Sequence, residues 1–492
     1  MSYLDLLKLA SPEAVIVLTA LIVLALGLSD TRAARICSAI TAAGILAAVA
    51  AVLLLPEQAA LFHGMLVINP LNSLFKILCL ALAFFTVILA RGSILRHQGE
   101  YFALLLLATL GLMLLVGSEE LLMIFIGLEL TGLSLYVMAG FDKTDPRSAE
   151  AGLKYFLFGS TASAFTLFGL SFVYGMCGAT GLAVIGQKLS AVPVEPLLVA
   201  GLVLTLIGFA FKIAAAPFHL WAPDTYQGAP IPSAAFIASG SKVASFVVLG
   251  KIVLVGFAPV HGSAAWHAMI AGWAPVLAML AALSIVIGNL VALAQSNVRR
   301  LLAYSAIAHT GYTLLGLVAA GREGFGATLF YTTVYAFTLV GAFGVVALVR
   351  RETGGDELTN FSGLWSRSPL LSGCMTIFML SLAGLPPLAG FFGKFYLFSA
   401  ALRANPPNGL LWLVALALLG SLVSLFYYLA VLKAIFVDDP ETRNLNPEPL
   451  RPIPLDFLQR SSLILLAGTV LVLGLLPGGL VTLIASSLAP LR

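Results

Sequence analysis

Long apolar runs separated by short polar segments fill almost the whole chain. At roughly 20 apolar residues per membrane crossing, this pattern predicts about fourteen transmembrane helices. The predicted spans are 11-29, 35-56, 73-91, 102-117, 119-140, 150-176, 196-218, 232-257, 270-294, 299-320, 327-350, 369-404, 410-437 and 460-488. No polar stretch is long enough to form a soluble domain. The sequence therefore predicts an all-α, polytopic membrane protein.

Helix-breaking residues interrupt two of these apolar runs. Residues 208-232 contain Pro217, Pro223, Gly228, Pro230 and Pro232, and the twelfth span contains Gly384, Pro386, Pro387 and Gly390. Proline removes a backbone donor, and backbone groups freed at membrane depth are tolerated only where protein or a water-filled cavity satisfies them. We expect a break with an internal hydrated site in each run. Residues 63-72 are predicted to form a small hairpin or loop instead of a helix.

The positions of the two broken spans suggest an internal repeat. Spans 4 to 8 and spans 9 to 13 each make a block of five, and the fourth member of each is broken and carries a lysine, Lys212 or Lys394. Because five is odd, consecutive copies insert with opposite topology, which is typical of inverted repeats in transporters. The predicted organisation is an N-terminal group of three helices (1-101), two five-helix repeats (102-257 and 270-437) and a C-terminal helix (460-492).

The composition supports a membrane protein and excludes several other classes. Hydrophobic residues make up 60% of the chain and charged residues 10%, whereas charged residues make up about 25% of soluble globular domains. The four cysteines form no CxxC pair and lie mostly in apolar runs, so we expect core residues and neither disulfides nor a metal site. The net charge of +4 comes from loop residues and does not indicate nucleic-acid binding. No cleavable signal peptide is expected.

Basic residues alternate between the predicted loops. Odd-numbered loops carry most of them, and even-numbered loops carry Lys188, Arg322 and Arg403. Loops rich in lysine and arginine face the cytoplasm, so both termini are predicted on the non-cytoplasmic side. The residues of the odd-numbered loops are Arg32, Arg35, Arg91, Arg96, Lys143, Arg147, Arg299, Arg300, Arg350, Arg351, Arg367, Lys433, Arg443, Arg451 and Arg460.

Four ionisable residues lie deep within predicted spans. Glu129, Lys212, Lys242 and Lys394 have apolar neighbours on both sides or stand beside a helix break. Each charge at a helix centre costs about 2.5 to 3.5 kcal/mol on insertion scales, and such residues usually mark ion or proton pathways. The alternative is a buried ion pair that only fixes helix packing. Because four such groups occur in one bundle, the sequence favours a pathway.

Other ionisable residues are more ambiguous. Lys76 and Lys251 lie near the predicted non-cytoplasmic face, where the lysine stem is expected to carry the charge to the interface. Lys154, near the cytoplasmic face, fits either such a position or the pathway. His219, at the first break, and His309, in span 10, titrate near neutrality, and each fits either a core position or the pathway.

Several motifs for energy conversion are missing from the sequence. The chain contains no GxxxxGK[ST] loop, no dinucleotide-binding glycine fingerprint in a strand-helix context, no CxxC and no HExxH, and these are the motifs that would bind nucleotides or metals. If this chain moves ions uphill, we expect a partner to supply the energy.

Five stretches together resemble a known family. They are LEL around Glu129, FKIAAAPFHLWAPDTYQGAP, SGSKVASF, NVRRLLAYSAIAHTGY and SLAGLPPLAGFFGKFYLF. They resemble the antiporter-like membrane subunits of respiratory complex I, the proton-pumping NADH:quinone oxidoreductase, from about span 3 to span 13. Among the subunit types, the chain is most similar to subunit N, because it has fourteen predicted spans, no long lateral C-terminal helix, and Lys394 where subunit M typically has a glutamate.

The resemblance implies roles for individual residues. Glu129 and Lys212 would form the coupled pair, Lys242 would be the central lysine and Lys394 the lysine toward the exit. Lys154, His219 and His309 would be secondary members of the path. An opposite charge beside a buried lysine favours its protonated form, and withdrawal of that charge favours proton release.

The resemblance also implies the setting of the chain. NADH, FMN, iron-sulfur clusters and quinone would be bound by partner subunits, with no cofactor in this chain. The partners would be other membrane subunits of complex I and lipid, in the bacterial inner membrane.

Two other functions remain open from the sequence. The chain could be a subunit of an Mrp-type cation/proton antiporter, or a structural membrane subunit of a redox complex. The neighbouring genes would discriminate between them, since a complex I operon also encodes Rossmann, flavin and CxxC-bearing iron-sulfur subunits.

Overall fold

The protein is a bundle of α-helices with two small β-hairpins. The computed structural model describes residues 3–29, 36–91, 97–191, 195–404, 409–438 and 453–489. The basic residues Arg32, Arg35, Arg96, Arg443 and Arg451, used above to predict orientation, lie outside these residues. The helices are α1 (Tyr3–Leu9), α2 (Ser11–Ser29), α3 (Cys37–Leu53), α4 (Pro70–Ala90), α5 (Gln98–Gly117), α6 (Leu121–Ala139), α7 (Pro146–Cys177), α8 (Leu182–Leu189), α9 (Pro196–Lys212), α10 (Trp221–Gly228), α11 (Ile231–Gly256), α12 (Trp273–Ala292), α13 (Val298–Ala319), α14 (Gly321–Thr353), α15 (Leu364–Arg367), α16 (Pro369–Ala383), α17 (Ala389–Arg403), α18 (Leu411–Phe436), α19 (Phe457–Leu475) and α20 (Pro477–Ser487).

The helices give fourteen passes through the bundle, as the sequence predicts. Among the described residues, eleven helices are long and apolar enough to cross a membrane alone. The remaining passes are the shorter α3 and two passes made of paired helices, α9 with α10 and α16 with α17. The last pass is divided at Pro477 into α19 and α20, which the sequence analysis did not predict. The four cysteines are buried.

Two antiparallel hairpins lie at one end of the bundle. Strands β1 (Ala59–Leu61) and β2 (Leu66–Ile68) pair with Ala59 opposite Ile68, and β3 (Ser263–Ala265) pairs with β4 (Ala268–Ile270). The first confirms the predicted hairpin, whereas the second was not predicted. An even number of passes separates them, so they share one end, called here the hairpin end. The opposite end, which carries Arg91, Lys143 and Arg147, is called the basic end.

The first predicted break lies between α9 and α10, at residues 213–220. Ala214 has a φ of 56°, a left-handed conformation that non-glycine residues seldom adopt. The amide of Ala216 donates to the hydroxyl of Ser284 on α12 at 2.9 Å. A side chain from another helix thus satisfies a donor that the broken ladder leaves free.

The second predicted break lies between α16 and α17, at residues 384–388. Gly384 begins it with a φ of 85°, a conformation that glycine adopts without steric penalty. The amide of Gly390 donates to the hydroxyl of Ser381 at 3.2 Å. Both broken spans predicted from the proline and glycine pattern are therefore confirmed.

Helix α11 contains two wider turns that the sequence pattern did not reveal. The segments Ile237–Ser241 and Ile252–Gly256 are π-helical, a form that occurs mostly as single turns, frequently at functional sites. They flank Lys242 and Lys251, which lie on the α-helical part between them. The local change in helical winding sets where these two lysines point.

A buried cluster of charges closes the basic end. The Asp356 carboxylate pairs with the guanidinium groups of Arg299 and Arg350, the latter at 3.1 Å, and accepts from the side-chain amide of Asn297 at 2.7 Å. Burial of the Asp356 carboxyl raises its pKa, but these three partners outweigh it and hold the pKa below its usual value. Arg299 also donates to the carbonyl of Ala229 at 3.0 Å. The cluster thus ties the loop after α14 to α13 and to the first broken span.

Candidate functional site

Glu129 lies at the lateral surface of this chain. It is half-buried on α6, and its neighbours on the same helical face, Ile126 and Leu133, are 44% and 53% exposed. The hydroxyl of Ser163 on α7 donates to its carboxylate. One side of the Glu129 carboxylate therefore faces the interior of the chain, and the other side faces the exposed surface formed by α6 and α7.

Lys212 is the last residue of α9, directly before the first break. Its ammonium donates to the carbonyl of Leu128 at 3.4 Å and to the hydroxyl of Tyr136 at 3.3 Å. No carboxylate oxygen of the described residues lies within 4.0 Å of it. The two members of the pair implied by the family resemblance are neighbours, since Leu128 directly precedes Glu129, but they do not form an ion pair in this structure.

Lys242 lies at the centre of the bundle. Its ammonium donates to the carbonyl of Ala306 at 2.6 Å and to the hydroxyl of Thr310 at 2.9 Å, both on α13. The Thr310 hydroxyl donates to the carbonyl of Ile213 at 2.7 Å. Because Ile213 directly follows Lys212, one threonine connects the central lysine to the first break.

His309 lies beside Lys242 in a group of buried hydroxyls. Its Nδ1 is 2.7 Å from the Tyr331 hydroxyl, and its Nε2 is 3.0 Å from the Tyr428 hydroxyl. Tyr428 also bonds the hydroxyl of Ser305, one turn before His309 on α13. Both ring nitrogens thus have hydroxyl partners, an arrangement in which an imidazole can take a proton on one side and give it on the other.

Lys394 is held by the second break. Its ammonium donates to the carbonyls of Leu382 and Ala383 at 3.0 Å each and to the hydroxyl of Ser421 at 2.9 Å, and it lies 5.2 Å from the ring centroid of Tyr312. Leu382 and Ala383 end α16, and a helix C-terminus carries partial negative charge that favours a cation. Lys394 is therefore a buried cation stabilised by neutral oxygens.

Lys154 and His219 form no hydrogen bond with Lys212, Lys242, His309 or Lys394 among the described residues. Lys154 forms ion pairs with Glu150 at 2.5 Å and Asp224 at 2.6 Å, and its side chain is 38% exposed. Asp224 also pairs with Arg300 at 2.7 Å. Glu150, Asp224 and Arg300 line a cavity of about 250 Å³ at the basic end. The Nδ1 of His219 is buried without a hydrogen-bond partner in the described part of the chain.

The expectation that Lys76 and Lys251 reach the membrane interface is wrong. Lys76 is 1% exposed and forms an ion pair with Glu13 at 2.6 Å, and Lys251 is fully buried with its ammonium on Asn72 and on the carbonyl of Val116. Hydropathy placed both lysines near a helix end, where a free stem can extend. It could not show that α2 and α5 cover them.

Sequence reasoning missed the polar side chains that connect the ionisable ones. Ser305, His309 and Tyr312 lie one turn apart along α13, and this helical spacing of polar groups could have been recognised. Tyr331 and Tyr428 come from α14 and α18, so only the tertiary structure brings them to His309. The described residues contain no group of three or more His, Cys, Asp or Glu side chains suited to hold a metal ion.

Comparisons with known proteins identify the family. The family model described as "NADH:quinone oxidoreductase/Mrp antiporter, TM" matches residues 118–420. A relative from Acidobacterium capsulatum, named NADH-quinone oxidoreductase subunit N 2, is 46% identical over 97% of this chain and 98% of its own length. One from Moorella thermoacetica, named NADH-quinone oxidoreductase subunit N, is 41% identical over 88% of both chains.

Solved structures agree with this assignment. A chain of respiratory complex I from Thermus thermophilus with bound aureothin is 34% identical, with a TM-score of 0.78 over 96% of this chain and 99% of that one. A chain of the Mrp complex from Dietzia sp. DQ12-45-1b has a TM-score of 0.84 over 98% of this chain and 97% of that one, but its 22% identity shows the shared fold alone. The chain therefore belongs to the NADH:quinone oxidoreductase/Mrp antiporter transmembrane family.

Proposed function

We propose that this chain is subunit N of an NADH:quinone oxidoreductase and translocates protons across a bacterial inner membrane. The protons are carried by Glu129, Lys212, Lys242 and Lys394. The observation that carries the proposal is the environment of the three lysines, which are buried and held by neutral oxygens.

These lysine environments suit groups that gain and lose protons. A nearby carboxylate favours the charged form of an ammonium, whereas an ammonium bound to carbonyl and hydroxyl oxygens can lose a proton and leave an amine that still donates to two of them. Lys242 and Lys394 each have such a set of acceptors. Moving one charge against 100 mV costs about 2.3 kcal/mol, and this energy has to come from a change in these surroundings.

The separation of Glu129 from Lys212 provides such a change. With the carboxylate on Ser163 and the ammonium on Leu128 and Tyr136, the two charges do not neutralise each other. Their approach favours protonation of Lys212, and their separation favours transfer of its proton toward Lys242. The α6 face that carries Glu129 lets a neighbouring subunit control this step.

His309 extends the path between Lys242 and Lys394 through its two hydroxyl partners. Lys154 belongs to the basic end, where its acidic partners and the 250 Å³ cavity provide a place for proton uptake from the cytoplasm. His219, beside the first break, is a secondary member of the proposed path, and its Nδ1 has no hydrogen-bond partner among the described residues.

The remaining parts of the proposal concern the complex. NADH, FMN, iron-sulfur clusters and quinone are bound by partner subunits, and this chain has no redox or nucleotide site of its own. Its partners are other complex I membrane subunits and lipid. Both termini face the non-cytoplasmic side. The five-helix repeats are 102-257 and 270-437, between the N-terminal helices of 1-101 and the C-terminal segment 460-492, and the single broken pass in each block supports this division.

The test is proton uptake by the assembled complex in proteoliposomes during NADH oxidation. Lys242→Met is expected to reduce pumping at least tenfold, because it removes the central protonatable group. Lys433→Met is the matched control, since Lys433 is exposed and pairs with Asp438 at 3.6 Å at the basic end. Equal pumping by the two assembled variants would contradict the proposed path. A cation gradient driven by protons without NADH would instead favour the Mrp-type alternative.

A further inference from the structure

A second group of buried charges lies at the hairpin end, apart from the proposed path. Glu13 on α2 and Lys76 on α4 form an ion pair of 2.6 Å, with side chains 9% and 1% exposed. Beyond this ion pair, neither charged group has a hydrogen-bond partner among the described residues. The pair is thus shielded from solvent and supported by no other polar contact.

Lys251 on α11 lies in the same region without any acid beside it. Its ammonium donates to the Asn72 side-chain oxygen at 2.6 Å and to the carbonyls of Val116 at 2.7 Å and Ser118 at 3.5 Å. In the described part of the chain, no carboxylate oxygen lies within 4.0 Å of it. Val116 and Ser118 lie at the C-terminal end of α5, whose partial negative charge favours a cation.

The two lysines meet at one short segment of chain. A Cβ atom added to Gly117 would lie 2.9 Å from Cε and 3.2 Å from Nζ of Lys76. The end of the Lys76 side chain therefore packs directly against Gly117, between the two residues whose carbonyls hold Lys251. Any residue larger than glycine at this position would displace Lys76 from its place.

Two other carboxylates, Glu119 and Glu120, lie near this segment. Glu119 accepts from the Asn69 side-chain amide at 3.4 Å, and Asn69 in turn caps α4 by accepting from the amide of Asn72 at 2.7 Å. The Glu120 carboxylate caps α6 by accepting from the amide of Met123 at 2.8 Å. The line from Glu119 through Asn69 and Asn72 therefore reaches Lys251.

A cavity at the hairpin end lies beside Lys251. It has a volume of about 460 Å³ and is lined by Lys251, Gln187, Ser190 and Arg322 together with apolar residues of α8, α11 and α14. A cavity of this size with polar groups on its wall has room for several water molecules.

We propose that Glu13, Lys76 and Lys251 form a second proton-exchanging site, through which protons pass between α11 and the cavity at the hairpin end. The inference rests on the proposed function and adds a branch to it. Lys251 and Lys242 are nine residues apart on α11, roughly 13 Å along a helix axis at 1.5 Å per residue. Lys251 is thus the next protonatable group toward the hairpin end on the helix of the central lysine.

Each proton transfer at this site balances without a further reactant. Within the pair, an N–H bond of the Lys76 ammonium breaks and an O–H bond forms on Glu13, leaving a neutral amine and a neutral carboxylic acid. At Lys251, the ammonium gives a proton to water in the cavity and becomes an amine, whose two remaining N–H groups keep the bonds to Asn72 and Val116. The pair keeps a net charge of zero in both forms, so it acts on Lys251 through the position of its proton. While the proton is on Lys76, the positive charge packed against Gly117 favours proton release from Lys251. Once the proton has moved to Glu13, the Lys251 amine regains a proton from hydronium in the cavity, where one O–H bond breaks and one N–H bond forms.

The first test compares proton uptake by assembled complexes in proteoliposomes. Lys251→Met and the double variant Glu13→Leu/Lys76→Met are each expected to lower the protons pumped per NADH at least twofold. The double variant removes both charges together, so a pair that serves only packing would be replaced without such a loss. Lys188→Met is the matched control, because Lys188 lies at the same end and, among the described residues, its ammonium bonds only the Cys177 carbonyl, at 2.7 Å.

The outcomes separate this inference from the proposed function. Normal pumping by Lys251→Met and by the double variant, with pumping lost in Lys242→Met, would overturn the second site alone. Normal pumping by Lys242→Met would overturn the proposed path. If the variants fail to assemble, the unaltered complex is treated with dicyclohexylcarbodiimide, which reacts with protonated carboxyls in apolar surroundings. Modification of Glu13 during turnover, found by peptide mass spectrometry, supports proton exchange there, and its absence overturns it.

Discussion

Lys212 on α9 and Glu129 on α6 form no ion pair, and the ammonium of Lys212 bonds the carbonyl of the residue directly before Glu129. The structure thus holds the pair in its separated state, with each charge on its own neutral partners, Tyr136 for the lysine and Ser163 for the glutamate.

We predict that charge alone at position 212 does not support pumping. Lys212→Arg keeps a positive charge but cannot deprotonate, because the guanidinium pKa is above about 12. Pumping by the reconstituted complex is expected to fall at least tenfold, and Glu129→Gln is expected to do the same by removing the partner charge. Lys433→Arg, at an exposed position, is the control. Near-normal pumping in Lys212→Arg would show that Lys212 acts only as a fixed charge.

We predict that the Tyr428 hydroxyl is needed for rapid proton movement past His309. Tyr428→Phe removes the partner of the His309 Nε2 and of Ser305 while keeping the ring. Pumping is expected to fall severalfold with assembly unchanged. Tyr226→Phe is the matched control, since the Tyr226 hydroxyl is buried and has no hydrogen-bond partner among the described residues. Equal rates in the two variants would remove Tyr428 from the path.

We predict that Asp356 stabilises the fold in a pH-dependent way. Breaking a buried ion pair typically costs about 3 to 5 kcal/mol, so Asp356→Asn is expected to lower the Tm of the detergent-solubilised complex well below that of Asp438→Asn. Asp438 is the control because it is only half-buried and pairs with the exposed Lys433. The folded pKa of Asp356 is lowered, so its contribution is complete above the unfolded value of about 3.9 and is lost as the pH falls through the folded value. The difference in Tm should therefore persist from pH 5 to pH 8 and shrink below about pH 4.

We predict that Ser284 supports the first break. Ser284→Ala leaves the buried amide of Ala216 without its acceptor, and an unsatisfied buried donor costs about 1 to 3 kcal/mol. The thermal stability of this variant should be lower than that of Thr205→Ala, which removes a buried hydroxyl whose only hydrogen bond in the described part of the chain is to Gly201 of its own helix. A high-resolution map of the complex should also show ordered water beside residues 213–220 and 384–388. Equal stability of the two variants would contradict the role of Ser284, and breaks without ordered water would argue against hydrated sites there.

The sequence was sufficient for the passes and the breaks because both depend on local properties. The length of each apolar run predicted a transmembrane helix, and Pro217 and the pair Pro386 and Pro387 predicted where two helices break. The positions of the deep lysines also followed, because an ionisable residue within an apolar run is visible without a structure. These signals need no knowledge of which helix packs against which.

The errors have the opposite origin. Whether Lys251 extends to the interface or stays buried depends on α5 and on Asn72, which are distant in sequence. The π-helical turns around Lys242 and the hydroxyl partners of His309 likewise arise from packing between helices. Periodicity along one helix carries no information about such contacts, so the hydrogen-bond partners of the buried lysines could not be predicted, although the positions of these lysines within apolar runs could.

The Thr310 hydroxyl has a single hydrogen atom to donate, so the hydrogen bonds between Lys242 and the first break run in one direction, from the ammonium through Thr310 to a backbone carbonyl. The hydroxyl accepts from the Lys242 ammonium and has two carbonyl acceptors, Ile213 at 2.7 Å and Ala306 at 3.0 Å. A backbone carbonyl cannot pass a proton onward, so this chain of bonds is a dead end for conduction. The contact instead depends on the position of residues 213–220. If this segment moves away, the Thr310 hydroxyl donates only to the carbonyl of Ala306, and the geometry of its bond to Lys242 changes as well. Thr310 thus couples the shape of the broken helix to the proton held at Lys242 without being a carrier itself.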